Sequence, residues 1–136
     1  MKKTIGRLAI TTVALSIILV LTPSAAFADY DRAACSTRFG TCWTGTIISH
    51  SSQHWIKLNA WSSPHAFAEA KVYDADNGAL VGSLWLVNDT DYVKGGTTTI
   101  YGLYGRYKMR LNTLWGYVSN GEICNFTNNP ASGDVC

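Results

Sequence analysis

The chain is poor in charge, in helix signals and in recognisable catalytic motifs, and each shortage removes a class of function. Charged residues make up only 15% of its 136 residues. No run of Lys and Arg is dense enough to neutralise a phosphate backbone, which argues against nucleic acid as a partner. No stretch repeats its apolar residues at three and four over ten positions, so no amphipathic helix is expected. There is neither a Gly-x-Ser-x-Gly elbow nor a His-Glu-x-x-His pair. The expectation is a protein that is not an enzyme, with no cofactor and no metal.

Long apolar runs are confined to the N-terminus. Lys2, Lys3 and Arg7 precede an apolar run over 8–21, Thr22-Pro23 breaks it, and Ala26-Phe27-Ala28 supplies small residues at −3 and −1. That is the layout of a secretory signal peptide, and the run falls short of the ~20 residues that span a bilayer. Residues 1–28 are therefore predicted to be cleaved, leaving a secreted, extracellular protein with one domain over 29–136 and no membrane span in the mature form. The short, Lys-Lys-led signal looks bacterial. Loss of Lys2, Lys3 and Arg7 takes Lys+Arg from 11 to 8 against 9 acidic residues, and the net charge from +2 to −1.

What remains is rich in cysteine and aromatic residues. Cys35, Cys42, Cys124 and Cys136 all lie in the mature part, and an even number in a short exported chain reads as two disulfides. The sequential pairing Cys35–Cys42 and Cys124–Cys136 is favoured. Arg38-Phe39-Gly40 can make a compact turn inside the first pair, and the irregular stretch after Asn128 would fray without a staple. The rival pairing, joining the N-terminal segment to the last strand, closes longer loops and stays open.

Between the cysteines, short runs of Trp, Tyr, Val, Ile and Thr alternate with Gly, Asn, Asp, Ser and Pro clusters. Strands are predicted over 42–50, 54–62, 66–74, 79–87, 97–104, 106–112, 114–119 and 122–126. Arg106, Lys108, Arg110 and Asn112 alternate with Tyr107, Met109 and Leu111, giving one wet and one buried face. Asn120-Gly121 reads as a type I′ turn joining the last two strands. Seven to eight short strands predict an all-β fold, a small antiparallel β-sandwich or partly closed barrel stapled by two disulfides.

Polar candidates are ambiguous. His50, His54 and His65 fall at turns, where they are either exposed turn residues or three imidazoles that could hold zinc. Asp74-Ala75-Asp76-Asn77-Gly78 and Asn88-Asp89-Thr90-Asp91 suit calcium, but Asx-Gly clusters are also what hairpin turns demand. Asn88-Asp89-Thr90 and Asn125-Phe126-Thr127 match the N-glycosylation pattern.

The informative feature is aromatic. Trp55, Lys57, Asn59 and Trp61 alternate with apolar residues in one strand, and Phe67, Glu69, Lys71 and Tyr73 do so in the next. If the two strands pair as a hairpin through Ser62-Ser63-Pro64, both sets share one face, and opposite charges select the register that sets Lys57 against Glu69. The rings then either cover the sheet beneath another segment or form an exposed aromatic-polar platform. The platform implies a non-enzymatic, carbohydrate-binding protein whose partner is an extracellular glycan or cell-envelope polymer. The alternative is a secreted antagonist, an enzyme inhibitor or bacteriocin-like protein that binds a target protein or envelope precursor.

If both disulfides form, thiol titration of the mature protein under denaturing, non-reducing conditions finds no free thiol. One or more equivalents would contradict the pairing and reopen metal or nucleophile chemistry.

Overall fold

Period-two alternation dictates strands that are wet on one side, and such strands need a second layer to cover the apolar side. The computed structural model, which describes residues 31–115, 118–126 and 136, supplies that layer. The expected signal peptide lies outside the described residues. Nine strands follow one another: β1 (Arg32–Thr37), β2 (Gly40–Trp43), β3 (Ile47–Ile48), β4 (Trp55–Ser62), β5 (Ala66–Asp74), β6 (Leu80–Asn88), β7 (Lys94–Tyr101), β8 (Arg106–Trp115) and β9 (Ser119–Cys124). The first sheet has the order β1-β9-β4-β7 and the second β2-β8-β5-β6, with β3 pairing on β8 as well. All pairs are antiparallel. The fold is thus an all-β sandwich, but three strand expectations change: 42–50 is divided into β2 and β3, 114–119 is no strand of its own because its start extends β8 and Ser119 opens β9, and β1 was not expected. β1 is built from small residues (Ala33, Ala34, Cys35, Ser36) of weak β-propensity and pairs along the whole of β9.

Between the layers, Ile56, Leu58 and Ala60 of β4 meet Ala68, Ala70 and Val72 of β5, with Tyr107, Met109 and Leu111 of β8 and Ile123 of β9. The alternation read in 106–112 is the observed one, its odd positions buried and its even ones not. Both disulfides take the sequential pairing. Cys35 on β1 and Cys42 on β2 belong to different sheets, so this bond ties the two layers together at one edge.

Two expected hairpins are absent, and both corrections have a physical reason. β4 and β5 do not pair: β4 lies in the first sheet and β5 in the second. The Ser62-Ser63-Pro64 corner carries the chain between layers, so the Lys57–Glu69 register does not exist. Asn88, fully buried at the end of β6, holds that corner by donating from Nδ2 to the carbonyls of Ser62, Ser63 and Tyr92. Its Oδ1 accepts from the Thr90 amide and hydroxyl.

Nor is Asn120-Gly121 a turn. Both residues lie inside β9, facing Ser36 and Cys35 of β1 on one side and Trp61 and Ala60 of β4 on the other. Gly121 is needed for close approach rather than for a left-handed conformation. A Cβ there would stand 2.7 Å from Met109 Cε and 3.1 Å from its Sδ, across the sandwich. Gly121→Val is therefore expected to destabilise the fold by ~1–3 kcal/mol through overpacking. Adding Met109→Ala makes room and should recover part of that loss in a double-mutant cycle. Additive losses would point to backbone strain instead.

Candidate functional site

The split between layers sends the two predicted site sets to opposite outer faces of the molecule. Trp55, Lys57, Asn59 and Trp61 point outward from the first sheet; Phe67, Glu69, Lys71 and Tyr73 point outward from the second. The two faces have different fates.

The first is largely covered. Cys124 points outward from β9, and its bond to Cys136 lays that residue, with Phe126, over the sheet as a small buried cluster. Lys57 Nζ donates to the main-chain oxygen of Cys136 at 2.5 Å. Beneath this cover a row of polar side chains crosses all four strands. Arg32 (β1) pairs with Glu122 (β9) at 2.5 Å, Asn59 (β4) donates to the other Glu122 oxygen at 3.1 Å, and Thr97 (β7) donates to Asn59 at 2.7 Å. Trp55 is only 5% exposed, stacks on His50 and donates its indole N–H to Gln53. Trp61 is 36% exposed, its ring lying over Gly95 of β7, where a Cβ would stand 2.6 Å away. In this half Trp55, Lys57 and Asn59 are engaged in local structural contacts, while Trp61 keeps an exposed edge.

The second face is open. Cross-strand pairing arranges its outward residues in rows: Val87–Phe67–Trp115, then Trp85–Glu69–Asn112–Thr41, then Ser83–Lys71–Arg110–Trp43, then Leu80–Tyr73–Lys108. Trp43, Trp85 and Trp115 are 48%, 58% and 69% exposed. The rings of Trp43 and Tyr73 reach toward each other over β8, with centroids 5.4 Å apart. Lys108 Nζ stands 5.0 Å from the Trp43 ring and the Arg110 guanidinium 5.7 Å from that of Tyr73. Lys71 bonds Glu69 at 2.7 Å. The backbones carrying Trp85 and Trp43 are three strand spacings apart across the sheet, roughly 14 Å, and one row apart along it. Flat rings therefore flank a strip of cations and amides.

Of the expected set, Phe67, Glu69, Lys71 and Tyr73 lie on this face, beside Trp43, Trp85, Trp115, Lys108, Arg110 and Asn112, which were not among the expected residues. The alternation of β8 and the exposed aromatics were visible in the sequence. Their juxtaposition depended on pairing β5 with β8 across a long stretch of chain.

The other polar candidates have local structural partners. His65 Nε2 lies 2.9 Å from Asp91, at the far end of β4 from His50 and His54. His50 Nδ1 accepts from the amides of Ser52 and Gln53, and His54 packs on Tyr104 with centroids 4.2 Å apart. The three imidazoles therefore do not converge. Among the described residues no cluster of three His, Cys, Asp or Glu side chains could hold a metal. Asp74 accepts from the amides of Asp76 and Asn77 within its own turn. Arg106, hydrogen-bonded to Asp76, holds that carboxyl below the ordinary aspartate value of 3.8. Any contribution of this exposed pair is present at neutral pH and fades as the pH falls through the lowered value. The glycosylation acceptors Asn88 and Asn125 are fully buried, and Asn125 bonds the Asp31 amide and the Ile48 carbonyl. Neither can carry a glycan in the folded protein.

No protein-family model matches the sequence, and no curated protein is similar to it. Among solved structures, the chain is similar to a carbohydrate-binding module from Cellvibrio mixtus lichenase 5A in complex with cellotriose. That similarity has a TM-score of 0.44 at 11% identity and covers 74% of this chain and 89% of that one. A glycoside hydrolase family 43 arabinoxylan arabinofuranohydrolase from Bacillus subtilis gives 0.43 at 14% identity, over 70% of this chain and 20% of the enzyme. The enzymatically active domain of tailspike protein 4 from bacteriophage CBA120 gives 0.34 at 14% identity, over 73% of this chain and 19% of that one.

The two faces should respond oppositely to truncation. Trp55→Ala leaves a cavity and is expected to cost ~3–5 kcal/mol in denaturant unfolding. Trp85→Ala should stay within ~0.5 kcal/mol of the parent. Similar losses for both would contradict the assignment of one face to structure and the other to solvent.

Proposed function

We propose that the protein is a secreted, non-catalytic binding module that holds a glycan chain of the extracellular surroundings or cell envelope against the outer face of the second sheet. The observation that carries this reading is the exposure of Trp43, Trp85 and Trp115 on one sheet face, around the polar strip of Glu69, Lys71, Arg110 and Asn112. A sugar ring has an apolar face that stacks on an indole and hydroxyls that need donors and acceptors at its edge. Aromatic walls with amides and charges between them meet both needs, and a rigid sheet holds them preorganised. Two disulfides in so small a domain suit an oxidising, protease-rich exterior.

The Val87, Phe67 and Trp115 corner, apolar on all three strands, favours a second reading in which the ligand is a protein and the chain an antagonist.

The test is retention on insoluble cell-wall material and on polysaccharides. Trp43→Ala and Trp85→Ala should each lose ~2 kcal/mol of binding energy. Trp85→Ala should keep the parent melting temperature, and Trp43→Ala, which gives up its contact with Tyr73, should lower it by ~0.5–1.5 kcal/mol of stability while staying folded. Trp61→Ala should bind as the parent does. A stable parent protein that binds none of these polymers would reject the glycan reading and favour the antagonist. Undiminished binding by both tryptophan variants would reject this face.

A further inference from the structure

The charges of the second face are arranged at odds with the sheet's own stability. Lys71 stands directly opposite Arg110 across the β5–β8 ladder, and Lys108 follows two residues away on the same face. Like charges directly opposite each other destabilise a sheet. Among the described residues the carboxylate beside these three cations is Glu69, which bonds Lys71; Asp76 is taken by Arg106 at the end of β8. Lys108 and Arg110 have aromatic rings, not carboxylates, as their neighbours. This local excess of two positive charges sits in a chain whose net charge without residues 1–28 is −1.

Resting on the glycan reading of this face, we infer that its ligand is a carboxylated polysaccharide, a chain of uronic acid units. Such a polymer supplies in each unit both things the face displays a need for. Its ring faces stack on Trp43 and Trp85, and its carboxylates enter the Lys71/Arg110/Lys108 strip, where the terminal N–H groups of a planar guanidinium can donate to both oxygens of one carboxylate. A neutral glucan would leave the opposed cations uncompensated. A polyol-phosphate polymer would neutralise them, but its backbone has no sugar ring for the indoles.

Affinity electrophoresis of the intact protein in gels containing polygalacturonate, a neutral xylan or a wall teichoic acid separates these cases. Binding to polygalacturonate is expected to exceed binding to xylan and to weaken as salt is raised. Lys108→Gln and Lys71→Gln should each reduce polygalacturonate affinity by about tenfold, the loss expected for one charge-assisted hydrogen bond. Lys108→Gln should leave the melting temperature unchanged or raised, because repulsion is relieved, whereas Lys71→Gln also deprives the nearly buried Glu69 of its partner and should lower it while the protein stays folded. Arg38→Gln, a charge removed from the β1–β2 turn, should bind as the parent. Equal affinity for xylan and polygalacturonate, insensitive to the lysine variants, would overturn the uronate assignment while leaving the glycan reading standing. Preference for teichoic acid over polygalacturonate would overturn it too. Binding to none of the three would remove both.

Discussion

Glu122 is 1% exposed on what would otherwise be the solvent side of the first sheet, and a carboxylate there is tolerable only because Arg32, Asn59 and the strands beside them satisfy it. Removing one partner of such a buried pair typically costs about 3–5 kcal/mol. The row from Arg32 through Glu122 and Asn59 to Thr97 links every strand of the sheet, and the Cys124–Cys136 bond covers it. That sealing leaves the second sheet as the broad face still open to a ligand. The two disulfides divide the work: one joins the layers at an edge, the other covers one layer from outside.

The fold was legible where one strand's own side chains decide. The β8 alternation, the limits of β4 and β5 and the sequential disulfides could all be read locally. What could not be read was which layer each strand joins. Asn120-Gly121 has the chemistry of a turn, but a core position facing Met109 has equal need of glycine, and tertiary packing decided between them. Ser62-Ser63-Pro64 looks like a hairpin turn and is a corner between sheets, held by a buried side chain, Asn88, from 25 residues downstream.

Half of the candidate site was legible for the same reason. The outward set of β5 was correctly separated from the core, while that of β4 joined a covered structural face. The register was chosen by charge complementarity, setting Lys57 against Glu69. The actual pairing sets Lys71 against Arg110, a combination that rule disfavours. The rule failed because long-range packing of β5 on β8, not local charge, set that register.

The most direct test of the whole account is to watch the five tryptophan indole N–H signals of the 15N-labelled protein as a polysaccharide fragment is added. Trp43, Trp85 and Trp115 report the outer face of the second sheet, Trp55 and Trp61 that of the first. The Trp43 and Trp85 signals are expected to shift progressively with an oligogalacturonate while those of Trp55 and Trp61 stay in place. Movement of the Trp55 and Trp61 signals with Trp43 and Trp85 unmoved would contradict it.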